Sequence, residues 1–252
     1  MNKIFLKIKD IEINNNNSYN NNLFITFDVD WAIDIVVEYV LELLGSYNVE
    51  STFFITHCSK LMSSMQRSED IECGIHPNFN PLLIGDNRYG NNFTKVLEFY
   101  YNQVQSPVSI RSHSVTFNGQ FPKLFDSFGL RYNCNSFVPF NSEIILKPWK
   151  ISNQKIVNVP HYFADDAILS MNKNIREFKR IIPKIIHRKG LKVFDFHPIH
   201  IFLNSENMDR YIKSKPYLQN AIKLTKNINT KTYGIKDLLI DVIEEGLKYL
   251  SI

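Results

Sequence analysis

Short runs rich in β-branched and aromatic residues alternate with stretches of helical spacing along most of this chain. That alternation is the pattern of βα units around a mostly parallel sheet. The clearest run is Leu23–Trp31, a strand by composition that ends on Asp28 and Asp30. Strand side chains alternate between faces, so Thr26, Asp28 and Asp30 are expected on one side, with Ile25 and Phe27 on the other. Two carboxylates that close repel unless a cation lies between them, and packing has no use for the pair. Solvated Asp residues in a polar turn are the plain alternative, but two on one face tip the reading toward a site.

Further strands are expected at Ser51–His57, Ile71–His76, Val108–Ser112, Arg131–Phe137 and Leu191–His197, with a short one within Ile4–Ile13. Ile144–Ile151 and Lys155–Pro160 read as extended. Helical spacing covers 32–47, with Gly45 as an end signal, then 92–104, 121–128 closed by Gly129, Asn174–His187, and Ile235–Leu250. Asn14–Asn22 is an Asn-rich, low-complexity loop with no functional weight of its own. No repeat or domain boundary interrupts the chain, so residues 1–252 are expected to form one domain.

A hydrophobic content of 44% and a charged content of 21% are ordinary for a globular protein, and 252 residues suffice for a large core. The net charge of +4 comes from scattered Lys and Arg, which argues against a nucleic-acid partner. Cys58, Cys73 and Cys134 are odd in number and far apart, matching neither a disulfide framework nor a zinc ribbon. With no signal-peptide pattern and no membrane-span pattern, a cytoplasmic protein with reduced thiols is expected.

The polar residues fall where the strands stop. One strand exits at Asp28 and Asp30, another at His76, a third runs into Arg111 and His113, and the last ends at Asp195 and His197. In parallel α/β folds the carboxyl ends of the strands form the active rim. A lone strand-end His is more often surface or core, but four strands delivering Asp, His, Arg and His to one rim is hard to explain by packing. Asp and His suit a divalent ion, with Zn²⁺ the expected one. A second carboxylate can take a proton from water, a His can protonate a leaving group, and an Arg can hold the base ionised. Together these residue types describe a metal-assisted hydrolase of an amide or ester.

Thr26-Phe27-Asp28-x-Asp30, Thr52-Phe53-Phe54, Gly74-Ile75-His76-Pro77-Asn78-Phe79-Asn80-Pro81, Arg111-Ser112-His113-Ser114 and Asp195-Phe196-His197-Pro198-Ile199-His200 occur in this order. The set resembles the polysaccharide deacetylases of carbohydrate esterase family 4, and its longer phrases resemble the WbmS-like subgroup, over about Leu23 to Leu203. The resemblance implies a distorted (β/α) barrel of about seven parallel strands. It also implies metal-dependent removal of an acetyl or similar acyl group from an N-acylated sugar or glycan precursor, in surface-polysaccharide biosynthesis. By the same resemblance Asp28 is the general base, Asp30 and His76 are metal ligands and His197 is the general acid. Arg111 binds the base together with an acid from Asp165-Asp166, for which Asp166 is the candidate.

The chain departs from the family pattern in places. The second histidine of the usual His-x-x-x-His is Asn80, so either Asn80 or His113 is left to complete the ligand set. Asp195 stands where an apolar residue usually lines the acetyl pocket; it is a candidate for substrate binding or for a hydrogen bond to His197. Trp31 and His200 are further substrate-side candidates, Trp31 as a sugar-facing wall. His161 is weighed as a groove residue and His57 as a rim residue, each against a structural role, while His187 reads as structural. A degenerate carbohydrate- or partner-binding protein and a metal-free amide hydrolase of the same superfamily stay open as alternatives.

Overall fold

A computed structural model describes residues 3–171 and 174–249. Eight strands form one sheet in the order β6-β5-β4-β3-β2-β1-β8-β7, every pair parallel. They are β1 (Phe24–Asp28), β2 (Ser51–Ile55), β3 (Ile71–Ile75), β4 (Ser109–Ile110), β5 (Tyr132–Asn133), β6 (Val157–Asn158), β7 (Phe163–Ala164) and β8 (Val193–Phe196). The expected barrel is present with one strand more than anticipated: β7 has two residues, too short for a period to register.

All residues of β1, β2 and β8 are buried, as a parallel sheet covered on both faces requires. The seam between β6 and β7 is closed by the chain after β5. A parallel bridge joins Phe137 to His161, the Val138 amide donating to the His161 carbonyl at 3.0 Å and the His161 amide to the Ser136 carbonyl at 2.9 Å. Gly74 sits where β3 passes β4; a Cβ there would lie 2.8 Å from the Ser109 carbonyl oxygen. That close approach sets the line along which β3 carries its exit residue, His76.

Helices Asp34–Ser46, Phe93–Tyr101, Phe121–Ser127 and Ile235–Tyr249 occupy the expected positions, with Leu250 outside the described residues. The first ends past Gly45, at Ser46, and Asn48 takes the positive φ that reverses the chain. Gly129, at φ +77°, closes the third.

Several expectations are corrected. Ile4–Ile13 is not a strand: it makes one bridge, Phe5 to Leu23, and a 3₁₀ turn at Ile8–Asp10. Its amides are taken by side chains from the start of the sheet, Ile8 by Thr52 Oγ1 at 3.0 Å and Lys9 by Glu72 Oε2 at 2.8 Å, so the segment caps the amino-terminal end of the barrel. The Asn-rich loop holds a single helical turn, Asn17–Asn20. Ile144–Ile151 forms no strand beyond the bridge of Trp149 to Asn158. Asn174–His187 splits into a 3₁₀ segment, Ile175–Arg180, and a helix, Ile182–Ile186. Pro183 has no amide hydrogen to continue an α-helix and its ring opposes the preceding turn. Among the described residues no helix is long and apolar enough to cross a membrane.

Candidate active site

β1 stops at Asp28, and the chain leaves through Asp30 and Trp31 in left-handed conformation, with φ of 46° and 56°. Strand alternation therefore does not place Asp30, contrary to the sequence expectation. Two consecutive strained residues aim it instead. The Trp31 amide, bonded to Thr56 Oγ1 at 3.0 Å, helps to hold that turn. Asp28, Asp30, His76, Arg111, His113, Asp166, Asp195 and His197 all line one cavity of about 160 Å³, together with Phe137 and His161.

One side of the cavity gathers metal-type donors. His113 Nδ1 lies 2.9 Å and His76 Nε2 3.1 Å from Asp30 Oδ1, and the three ligand atoms converge within 4.8 Å of one another. Burial pushes Asp30 toward its neutral form, but the hydrogen bonds from His113 and His76 outweigh it and hold the carboxyl well below the usual range. His113 moves the other way, raised by Asp30 against the effect of burial. The other nitrogen of His76, Nδ1, is buried without a hydrogen-bond partner, 3.6 Å from Asp28 Oδ1. A neutral imidazole that gives Nε2 to a cation and turns Nδ1–H toward a carboxylate uses both nitrogens. One carboxylate and two imidazoles fit a small divalent ion.

Asn80 is not part of this group. Its Oδ1 accepts from Thr116 Oγ1 at 2.8 Å, and its Nδ2 donates to Ser114 Oγ at 3.2 Å. Those contacts clamp the turn that carries His113, in which Ser114 and Val115 both have positive φ. The His113 amide is tied to the Pro77 carbonyl at 2.9 Å. Of the two residues left open by the sequence, His113 joins the cluster and Asn80 braces it.

Arg111 is 1% exposed and lies over the Phe54 ring, 4.5 Å from its centroid. Its Nη1 donates to Asp28 Oδ1 at 3.0 Å, to Thr26 Oγ1 at 3.0 Å, and to Asp195 Oδ1. Asp166 is exposed and is not the acid that shares Arg111 with Asp28; Asp195, buried at the end of β8, is that acid. Burial, with Asp28 alongside, pushes the Asp195 carboxyl well up against the pull of Arg111. Asp195 makes no hydrogen bond to His197.

The partner of His197 is Asp165. Its Oδ1 lies 2.6 Å from Nδ1, and its Oδ2 accepts the His197 amide at 2.8 Å. Burial lowers the imidazole, but Asp165 more than compensates, so His197 is held well above the ordinary histidine value. Its Nε2 faces the cavity 3.6 Å from Asp30 Oδ2. The acidic pair at 165–166 was the available signal for this role; nothing in the sequence showed that the first member turns inward.

Of the remaining candidates, Trp31, His200, His57 and His187 stand outside the cavity lining. Trp31 meets the His113 ring edge-on at 5.3 Å, and His200 packs against His197 with its Nδ1 3.2 Å from Ser205 Oγ. His161 does line the cavity, buried, and is held well below the usual imidazole range by burial and by Arg111. His57 touches Thr56 at the rim, and His187 pairs with Glu245 on the surface.

The WbmS-like polysaccharide deacetylase family matches residues 25–215. A solved Bordetella bronchiseptica structure, assigned as a polysaccharide deacetylase of O-antigen biosynthesis, superposes with a TM-score of 0.86 at 32% identity, covering 96% of this chain and 98% of that one. A Mycobacterium smegmatis structure assigned as a polysaccharide deacetylase (TM-score 0.49, 18% identity, 70% and 77% coverage) and a Streptomyces lividans family 4 carbohydrate esterase bound to acetate (0.45, 10%, 91% and 87%) are more distant. No protein of curated function matches the sequence. The family match spans residues 25–215, most of the chain, the identity to the Bordetella protein extends over nearly the whole length, and the chain belongs to the WbmS-like polysaccharide deacetylases.

Proposed function

We propose that this protein is a metal-dependent hydrolase that removes an acetyl or similar acyl group from an N-acylated sugar precursor of a surface polysaccharide. One observation carries the reading. A carboxylate pinned to a buried arginine, a carboxylate with two imidazoles, and a histidine held by its own aspartate face the same 160 Å³ cavity. Asp30, His76 and His113 would hold the ion, for which zinc suits the donor set. Bound there, it would polarise the acyl carbonyl and raise the acidity of water.

The chain's own groups then divide the proton work. Asp28, fixed by Arg111 and 6% exposed, accepts a proton from the water that attacks the carbonyl carbon. As the C–N bond breaks, His197 donates a proton from Nε2 to the departing amine, while Asp165 fixes its Nδ1–H and stabilises the cationic ring. The products are a carboxylate and an amino sugar in its ammonium form, and Asp28 ends with one proton more and His197 with one fewer, which solvent exchange resets. Arg111 and Asp195 keep Asp28 in place throughout.

The test is acetate release from N-acetylated amino-sugar oligosaccharides by the zinc-loaded protein, by the protein in excess chelator, and by Asp28→Asn. Activity lost in chelator, restored by zinc, and reduced by about 10²-fold or more in Asp28→Asn is expected. Undiminished hydrolysis in chelator would instead point to the metal-free route, and full activity of Asp28→Asn would remove the assigned base.

A further inference from the structure

The strap between β5 and β6 turns Leu146 and Pro148 inward and their neighbours outward. Ile144, Ile145, Trp149 and Ile151 stand between 45% and 55% exposed, all within eight consecutive positions. Lys147, Lys150 and Lys155 are exposed among them, and Glu143 is the lone acid between residues 140 and 156. Scattered surface apolars need no explanation, but an aromatic and three isoleucines crowded together with lysines do.

The exposure is built into the fold. The Tyr162 hydroxyl donates to the Ile144 carbonyl and accepts the Leu146 amide at 3.1 Å. Leu191 donates its amide to the Leu146 carbonyl at 2.8 Å, and Trp149 and Asn158 exchange amide bonds of 3.0 and 2.6 Å. Gly190, at φ +96°, leaves room for the strap, since a Cβ there would lie 2.8 Å from Ile145 Cγ2. A backbone anchored at five points presents these side chains to a partner in a fixed order.

The lysines decide which partner. In a two-fold dimer the same patch meets itself, which would bring the lysines of both copies together with one acid each to offset them. An anionic lipid surface satisfies both halves of the patch. Phosphate headgroups meet the ammonium groups, and the acyl boundary takes up indole and isoleucine side chains. We propose that the 144–155 strap docks this protein peripherally on an anionic membrane surface. The strap leaves the barrel shortly after Phe137, which lines the catalytic cavity, yet none of its own residues lines it. Its anchors Leu191 and Tyr162 precede β8 and β7, so the strap sits toward the amino-terminal ends of the strands, away from the cavity, and docking takes no part in the chemistry.

The full chain is mixed with phosphatidylcholine vesicles, with or without phosphatidylglycerol, and bound protein is measured by co-sedimentation together with tryptophan emission, compared with Trp149→Ser/Ile151→Ser, which keeps Trp31 alone. Wild type is expected to bind the anionic vesicles selectively, with a blue shift, and to release as salt is raised. Trp149→Ser/Ile151→Ser and Lys147→Glu/Lys150→Glu are expected to lose about tenfold or more in binding. Both should keep wild-type hydrolysis of a soluble substrate, which shows that they fold. Wild type that stays in the supernatant with anionic vesicles overturns the proposal. So do variants that bind like wild type, and so does a wild-type dimer that Trp149→Ser/Ile151→Ser converts to monomer without any vesicle binding.

Discussion

Asp165 grips His197 twice, with one carboxylate oxygen 2.6 Å from the ring Nδ1 and the other 2.8 Å from the backbone nitrogen. The same side chain fixes where the ring stands and which nitrogen keeps its proton, leaving Nε2 to face the cavity. Asp165 also raises the affinity of His197 for a proton. Asp165→Asn is therefore expected to lower kcat by about 10²-fold and to move the alkaline limb of the pH–rate profile to lower pH. An ion held by Asp30 would act on His197 in both proteins, so the comparison of the two profiles is the readout for Asp165. A profile that keeps its alkaline limb in the variant contradicts this role.

Arg111 is buried between Asp28 and Asp195, and removal of Asp195 leaves its cation with one acidic partner where it had two. Asp195→Leu is expected to cost about 3 kcal/mol of stability, because unpairing a buried charge costs more than an apolar replacement returns. Asp195→Asn keeps an acceptor for Nη1 and should cost less. Urea unfolding of both variants measures this; Asp195→Leu as stable as wild type would mean that Asp28 and Thr26 satisfy Arg111 alone.

The identities of the site residues are legible at the strand ends, but how each is aimed is legible only where a strand does the aiming. His76 and His197 sit one residue past β3 and β8, where the alternation of the strand put them. Asp30 and His113 reach the same cavity through positive-φ turns, at Asp30 and Trp31 and at Ser114 and Val115, which no periodicity encodes. The exchange of roles between Asp195 and Asp165 is a matter of three-dimensional reach. Both lie near the carboxyl ends of neighbouring strands, β8 and β7, and β7 was too short to be seen. The Ile4–Ile13 segment has strand composition, but side chains at the base of the barrel bind its amides before a neighbouring strand can. The apolar spacing of Asn174–His187 runs on across Pro183 and so has the period of one helix, which the proline divides.

His200 is buried against His197, and both burial and that neighbour's charge push its imidazole down to about 3. An unfolded histidine titrates near 6.5. Between these values the unfolded chain binds a proton that the folded chain refuses, so stability contributed by neutral His200 is present above 6.5 and is lost as pH falls toward 3. His200→Gln should flatten the acid side of the stability–pH curve relative to wild type, measured by urea unfolding at each pH. Parallel curves for the two proteins would show that His200 does not carry this linkage.

Asn80 and His113 differ in what their loss should do to the ion. His113 places Nδ1 among the ligand atoms, while Asn80 holds the turn that carries it through Ser114 and Thr116. His113→Ala and His76→Ala remove a donor each, and either protein is expected to emerge from zinc loading and desalting with little bound metal. Asn80→Ala leaves the donors intact but frees the turn, so it should retain about one ion per chain with an affinity weakened about tenfold. Elemental analysis and a chelator competition read the two effects separately. A metal-free Asn80→Ala beside a fully loaded His113→Ala would reverse the assignment and make Asn80 the ligand.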